Sequence, residues 1–445
     1  MVLPPSHLPA RPSTAGAGHS TALLTDLYEL TMVDAALRSG MAEDRAVFEV
    51  FARSLPPGRR FGVVAGSGRL PEAIEAFGFG EEELAYLRGL GVLSDAALAY
   101  LAGFRFRGDV DGYAEGDLYF PGSPVLTVEA SFAEAVVLET LVLSILNHDS
   151  AVASAAARMS EVAGSGALVE MGGRRTHERA AMDAARAAYL AGFTSTSNLA
   201  AGRTYGIPVM GTVAHAFVLA HRDELTAFRA QAAAMGPGST FLVDTYDIAG
   251  GIRNAVEAAG GSPGAIRIDS GVLEHEVPAA RALLDSLGET RTTIIVTGDL
   301  DEDRIQRLRG LPVDGFGVGT EVVTGAGAAT AGFVYKLVEA DARAVEKLSA
   351  GKATRGGRKQ AWRLLDRRGR IEREVLSADR SWPAPPGARP LQVAYMRHGE
   401  PVEVAPLAQA RAAHLHARAA LPASARSLEP GPPFLIPELV EVTGD

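Results

Sequence analysis

The chain has 445 residues, 47% hydrophobic, 22% charged and 6% aromatic, with a formal net charge of −10. Its length exceeds the ~250–300 residues at which a single core stops growing, so two domains are expected. The acidic balance excludes a general nucleic-acid binder, which needs a net basic face. The absence of cysteine excludes disulfides, thiolate metal sites and cysteine nucleophiles.

Residues 1–20, MVLPPSHLPARPSTAGAGHS, hold four prolines and no apolar run of signal-peptide length, and read as a disordered leader. No stretch reads as apolar enough to span a bilayer, so a soluble cytoplasmic protein is expected. In TDLYELTMVDAALRSGM, Thr25 or Asp26 caps a helix whose Leu27, Leu30, Met32 and Ala36 recur near helical spacing. From Arg45 to Thr127 the texture becomes short β-rich runs between Gly and Pro turns, AVFEVFAR, GFRFRGDVDGYAEG and DLYFPGSPVLTVEA, as in an antiparallel sheet. Residues 21–147 are assigned to this first domain.

Beyond Gly166 short apolar runs alternate with helical stretches. The runs are ALVEM at 167–171, GFTST from 192, IPVMG from 207, FLVDTYD from 241, IRIDSG from 266, TIIVTGD from 293 and VDGFGVGT from 313. Seven strand candidates separated by helices are the mark of parallel βα units. A doubly wound open sheet competes with a barrel, and seven consecutive strands without a reversal signal favour the barrel, assigned to 148–338. After it, residues 339–420 return to short strands and basic turns, either as a separate tail domain or as a return to the first sheet. Residues 421–445 hold five prolines and read as an extended arm.

In a parallel barrel the polar strand ends converge on one mouth with helix N-termini and loop amides. Gly319 and Thr320 of GVGT, with Gly298 of TGD, offer backbone amides and a hydroxyl to a phosphate, or form ordinary tight βα turns. Asp244 and Asp247 in DTYD, Asp269 in DSG and Asp299 in TGD suit a divalent cation or a sugar diol, or cap helices. Arg174 and Arg175 in GGRRTH, beside His177, can hold a pyrophosphate or carboxylate, or lie on a solvated turn. Arg267, mid-strand in an apolar run, needs an anionic partner: Asp269, Asp244 or a ligand anion. His215 in MGTVAHAF is structural, or else a general base, a metal ligand or a nucleophile toward a phosphoryl group. From 166 to 335 there is no lysine, which argues against Schiff-base barrel chemistry.

The motifs TDLYELTM, FEVFAR, EMGGRRTHE, STSNLAAGRTYGIPVMGTVAHAF, LVDTYD, IRIDSG and FGVGTEVVTG resemble, in order and from about Leu23 to Arg363, those of nicotinate phosphoribosyltransferases. The resemblance implies a type II phosphoribosyltransferase: an α/β fold with an irregular parallel β/α barrel and an α/β sandwich domain formed from both chain ends, working as a homodimer. It implies transfer of phosphoribosyl from 5-phosphoribosyl 1-pyrophosphate to nicotinate in NAD salvage, with Mg²⁺ and with ATP hydrolysis coupled through a phosphohistidine at His215. By motif, Tyr28 would stack on the pyridine ring, often from the partner subunit, and Thr212 and Arg267 would hold the carboxylate and ring. Thr320 and Gly319, with Arg174, Arg175, Ser270, Gly271 and Gly298, would surround the phosphoribosyl and phosphate groups. Asp244, Asp269 and Asp299 would stand near the metal.

Two positions depart from the family pattern: Val272 follows DSG where an acidic residue is usual, and Gly173 replaces a hydroxyl residue. A related enzyme accepting nicotinamide or quinolinate is the nearest alternative, and a catalytically idle binding homologue is the alternative of another class.

Overall fold

The computed structural model of the chain describes residues 20–347 and 355–440. Apart from Ser20 the expected leader lies outside the described residues, as do the last five residues of the Pro-rich arm. The described residues divide into two compact units. One comprises residues 154–329; the other is built from both sides of it in the chain, residues 20–153 and 330–440.

The first unit carries six short strands, β1 Ala167–Glu170, β2 Ser195–Thr196, β3 Thr240–Leu242, β4 Ala265–Ile268, β5 Thr293–Val296 and β6 Gly315–Val318. Leu168, Val169, Phe241, Ile266, Ile268, Ile294, Val296 and Val318 are all buried in them, as expected of parallel strands covered on both faces. Spatial order is β2-β1-β6-β5-β4-β3, with every pair parallel. Consecutive strands other than β2 and β3 are thus neighbours, and the last returns to the first through Gly315↔Ala167 to Val318↔Glu170. That pairing makes a curled, incomplete barrel rather than a doubly wound sheet.

The ring is broken between β2 and β3. The run IPVMG, expected as a seventh strand, makes only an isolated parallel bridge, Thr196↔Val209. Pro208 has no N–H to donate and Gly206 turns the chain with φ +68°, so no ladder propagates there.

In the second unit a seven-stranded sheet runs in the order Arg343–Ala344, Phe333–Ala340, Arg45–Ala52, Leu126–Ser131, Asp109–Tyr113, Gln392–Arg397, Glu400–Pro401. The segment after the barrel therefore returns to the first sheet: Val50 faces Tyr335 on one side and Leu126 on the other. Phe48 stacks on Tyr335 with ring centroids 4.8 Å apart. A four-stranded sheet holds Gln360–Leu365 and Ile371–Ser377, and the Pro-rich arm contributes its parallel edge strand, Glu438–Val440. Buried Arg363 ties the two ends of the chain together, donating to Asp117 at 2.6 Å and to Glu374 at 2.5 Å, while Tyr113 also donates to Glu374.

Three helices of this unit, Leu70–Glu75, Glu81–Leu90 and Asp95–Ala102, interrupt a region expected to be mainly strand. Ser94 caps the last of them, accepting from the Ala97 amide at 3.3 Å and donating to buried Asp34 at 2.5 Å. Ser94→Ala is expected to cost about 1 kcal/mol, seen as a lower urea midpoint for this unit at unchanged m-value.

The expectation that no segment could span a bilayer needs correction. The helical stretch Phe132–Ala163 is long and apolar enough by length and composition. It is a mostly buried core stretch, with Val142, Leu146, Ala153, Ala155, Ala156 and Met159 all inaccessible.

Candidate active site

Because all six barrel strands are parallel, their C-terminal ends open on one rim, and the loops that follow carry the chemistry. Asp244 follows β3, Asp269 follows β4 and Thr297 follows β5. His215 is the first residue of a short helix, His215–Leu219, after the Val209 bridge.

The aspartates and Thr297 belong to one hydrogen-bonded cluster with Arg267 and Ser270, and His215 stands beside it. Arg267 projects from β4, its Nη2 donating to Asp269 at 2.8 Å and its Nε to the Thr297 hydroxyl at 2.9 Å. Of the two protein carboxylates open to Arg267 in the sequence, Asp269 is the one it pairs with. Thr297 in turn donates to the same Asp269 oxygen. Burial pushes the Asp269 carboxyl up, but the Thr297 and Arg267 hydrogen bonds and the neighbouring charges outweigh it and hold its pKa below the usual carboxylate range.

The Asp244 side chain is 1% exposed. Its Oδ2 accepts from the Asp269 amide at 2.9 Å and the Ser270 hydroxyl at 2.6 Å. Its Oδ1 has no hydrogen-bond partner and stands 3.8 Å from His215 Nε2, while Asp269 Oδ2 lies 3.9 Å from the same nitrogen. The other imidazole nitrogen, Nδ1, pairs with the Thr245 hydroxyl at 3.1 Å. The imidazole is thus oriented by Thr245 with Nε2 turned toward two carboxylates. A cavity of about 510 Å³ opens beside Asp244 and Ser270, with Tyr246 and Arg253 on its wall and Ile252 and Ala280 among its apolar lining.

The expected carboxylate trio does not form a metal cluster. Asp299 is exposed and has Glu321 as an electrostatic neighbour. Among the described residues no group of three or more His, Asp or Glu side chains could hold a metal ion. Asp299 sits in the left-handed region at φ 47°, after Gly298 at φ +99°. Gly298 is required, since a Cβ would lie 2.3 Å from the Asp269 carbonyl oxygen.

Thr320 opens a one-turn helix after β6. In GVGT the glycine that the packing demands is Gly317, whose Cβ would lie 2.5 Å from Thr297 Cγ2 and 2.7 Å from Met171 Sδ. Gly319 has ordinary room and a negative φ, so neither a protein clash nor φ explains glycine there. Arg174 and Arg175 are exposed on the turn after β1, without an ion pair among the described residues. Gly271 turns the chain at φ +89°. Thr212, half-buried, donates to the Val213 carbonyl at 3.0 Å. The two departures leave space: Val272 is 57% exposed, and a Cβ on Gly173 would meet nothing closer than Asn198 at 3.8 Å.

Tyr28 belongs to the other unit, on the helix Leu27–Ser39. Its ring is half-exposed, and burial of its hydroxyl beside Glu139, to which it is hydrogen-bonded, pushes its pKa well up. In the same unit a cavity of about 840 Å³ is lined by Arg53, Arg355 and Lys359, the last paired with buried Glu49 at 2.8 Å.

Three rim residues escaped the sequence reading: Thr245, Thr297 and Glu170. Thr245 and Thr297 lie within motifs whose aspartates drew attention. Glu170 is wholly buried at the end of β1, and burial raises its pKa despite hydrogen bonds from Thr196 and the Gly172 amide. An acid within the apolar run ALVEM was the one trace it left, and it gains meaning only with the burial.

An incomplete parallel barrel with this rim, in a chain whose two ends build an antiparallel sheet unit, has the make-up of a type II phosphoribosyltransferase. A family profile described as the nicotinate phosphoribosyltransferase (NAPRTase) N-terminal domain matches residues 23–147. A nicotinate phosphoribosyltransferase of Mycobacterium tuberculosis is 56% identical over 422 residues, spanning 93% of this chain and 94% of that protein. One of Bacillus subtilis is 40% identical over 363 residues, 78% of this chain and 74% of that one. The solved structure of human nicotinic acid phosphoribosyltransferase covers 93% of this chain and 97% of its own at 26% identity, with a TM-score of 0.80. The chain belongs to the nicotinate phosphoribosyltransferase family.

Proposed function

We propose that the protein joins nicotinate to 5-phosphoribosyl 1-pyrophosphate, giving nicotinate mononucleotide and pyrophosphate, with ATP hydrolysis coupled through phosphorylation of His215. The observation that carries this reading is the rim cluster, in which Arg267 is held against Asp269 and Thr297 while His215 presents Nε2 beside Asp244 and Asp269. The ring nitrogen of nicotinate has its own lone pair and attacks C1 of the ribose as the bond to pyrophosphate breaks. No general base is required, so the protein's task is to orient the ring and stabilise separating charge.

Arg267 Nη2 and Nε are committed to Asp269 and Thr297, and Nη1 has no protein partner among the described residues. One free guanidinium edge suits a single carboxylate, which favours nicotinate over the dicarboxylate quinolinate and over neutral nicotinamide. In this reading Thr212 meets the ring, and Thr320, Gly319, Ser270, Gly271 and Gly298 line the path of the phosphoribosyl group. Arg174 and Arg175 face the pyrophosphate.

The unpartnered Asp244 Oδ1 beside Asp269 fits Mg²⁺ held by one or two protein carboxylates, the remaining ligands coming from water and substrate phosphates. When bound, the ion would screen the charge developing on the leaving pyrophosphate. Asp244 and Asp269 would hold it, and Asp299 is left out. A phosphoryl group on Nε2 would stand beside two carboxylates, so a cation there also makes that state tolerable.

The reading includes a cytoplasmic homodimer in which Tyr28 completes the pocket of the partner subunit. Mixed Tyr28→Ala and His215→Ala proteins are then expected to regain activity in hybrid sites once subunits exchange. Demonstrated exchange with no recovery rules the shared site out. The transfer itself is tested by mass detection of nicotinate mononucleotide from nicotinate and phosphoribosyl pyrophosphate, with and without ATP. Absence of product under saturating substrates would instead support a catalytically idle homologue.

A further inference from the structure

Glu170 has no exposed surface and no ion-pair partner among the described residues. An ionised carboxyl taken from water without a counter-charge is costly, and only hydrogen bonds offset it here. Both oxygens are engaged: one accepts from the Gly172 amide, the other from the Thr196 hydroxyl at 2.5 Å. Thr196 Oγ1 itself accepts from the Asn198 amide at 2.9 Å, and Asn198 caps the helix Leu199–Tyr205 through Ala201. Ser197 N–H donates to the Glu170 carbonyl at 2.8 Å. One carboxylate therefore joins the loop after β1 to the loop after β2.

Its other connections run toward the anion-holding elements. Gly172 packs so closely on the loop after β6 that a Cβ would lie 2.2 Å from Val323 Cγ1 and 2.8 Å from the Gly319 carbonyl oxygen. The Gly172 carbonyl accepts from the Arg175 amide at 2.7 Å, closing the turn that carries Arg174 and Arg175, and the Met171 amide donates to the Val318 carbonyl, also at 2.7 Å. The Arg174–Arg175 turn thereby starts from a residue seated against Gly319 and Val323, with Glu170 fixing that residue at the joint.

We infer that Glu170 is a positioning residue for the phosphoribosyl pyrophosphate end of the site, holding the Arg174–Arg175 turn in register with the Gly319–Thr320 loop through Gly172. It touches no substrate and has no part in holding nicotinate, whose arginine lies on β4. The inference rests on the phosphoribosyl-transfer reading above.

The test is steady-state kinetics of the full chain with each substrate varied in turn, beside calorimetric titration with phosphoribosyl pyrophosphate alone. Glu170→Ala is expected to raise the KM and the Kd for phosphoribosyl pyrophosphate by ~10-fold or more, with the KM for nicotinate nearly unchanged. Glu170→Gln retains an acceptor for the Gly172 amide and is expected to recover most of the loss. Thr196→Val, which leaves Glu170 in place but removes one arm of the clamp, is expected to show a smaller loss of the same kind and serves if Glu170→Ala does not fold. Equal rises in both KM values, or no difference between the Gln and Ala variants, would overturn the inference, as would an unchanged Kd. If the wild type binds phosphoribosyl pyrophosphate yet forms no product, the transfer reading fails while the binding comparison still decides the role of Glu170.

Discussion

Arg267→Ala should lose nicotinate turnover by well over tenfold in kcat/KM. Removing a charge-assisted contact to a desolvated carboxylate costs at least ~1.5 kcal/mol, and here the side chain also anchors Asp269 and Thr297. Once the guanidinium is gone, Asp269 keeps the Thr297 hydrogen bond but loses the cation that also helps to hold its pKa down, and its negative charge faces the incoming carboxylate directly. The loss should therefore exceed that of the missing contact alone. Arg267→Lys should rescue little, because one ammonium cannot span Asp269, the Thr297 hydroxyl and a ligand carboxylate from a single point. Isothermal titration with nicotinate distinguishes the roles. Near-normal nicotinate affinity in the Ala variant, with only a lowered melting temperature, would make Arg267 a purely structural partner of Asp269.

His215→Ala should abolish ATP hydrolysis while leaving slow, ATP-independent transfer that pyrophosphate readily reverses. Thr245 holds Nδ1, so Nε2 is the nitrogen free to accept the γ-phosphoryl of ATP, with the bond to ADP breaking as the bond to nitrogen forms. Phosphorylation adds roughly two negative charges beside Asp244 and Asp269, which alters how the rim holds a polyanionic substrate before and after hydrolysis. In the proposed reading Arg174 and Arg175, without ion-pair partners among the described residues, are cations that respond to that charge. A structural histidine predicts a different pattern, with stability and both activities falling together. Wild type turned over with γ-labelled ATP should yield an acid-labile, base-stable label on a peptide containing His215. Failure to find it would remove the phosphohistidine from the mechanism.

The barrel rim was legible because strand ends in βα units are marked by abrupt changes from apolar to polar residues. DTYD, DSG and TGD each end an apolar run, and parallel strands oblige those ends to share one edge. Asp244, Asp269, Arg267 and His215 duly meet there. What escaped was the residues acting through others. Thr297 and Thr245 matter only through the particular nitrogen or oxygen they face, and threonine at a strand end is ordinary. Glu170 is informative only once it is seen to be buried without a cation.

Length raised the expectation of two domains, and periodicity by itself marked the parallel character of residues 167–318 and the antiparallel character of the β-rich runs near the N-terminus, because strand burial and turn chemistry are written locally. The motifs determined the family. Tertiary structure alone decided that β6 pairs with β1, that residues after 330 return to the first sheet, and that IPVMG is a bridge rather than a strand. It also decided that Asp299 stands apart from Asp244 and Asp269, and that Arg267 takes Asp269 as its partner. Each of these is a choice among contacts between residues far apart in the chain. Such choices depend on backbone direction at single positions, such as φ +99° at Gly298, and on which buried polar groups find one another, and neither leaves a periodic trace in the sequence.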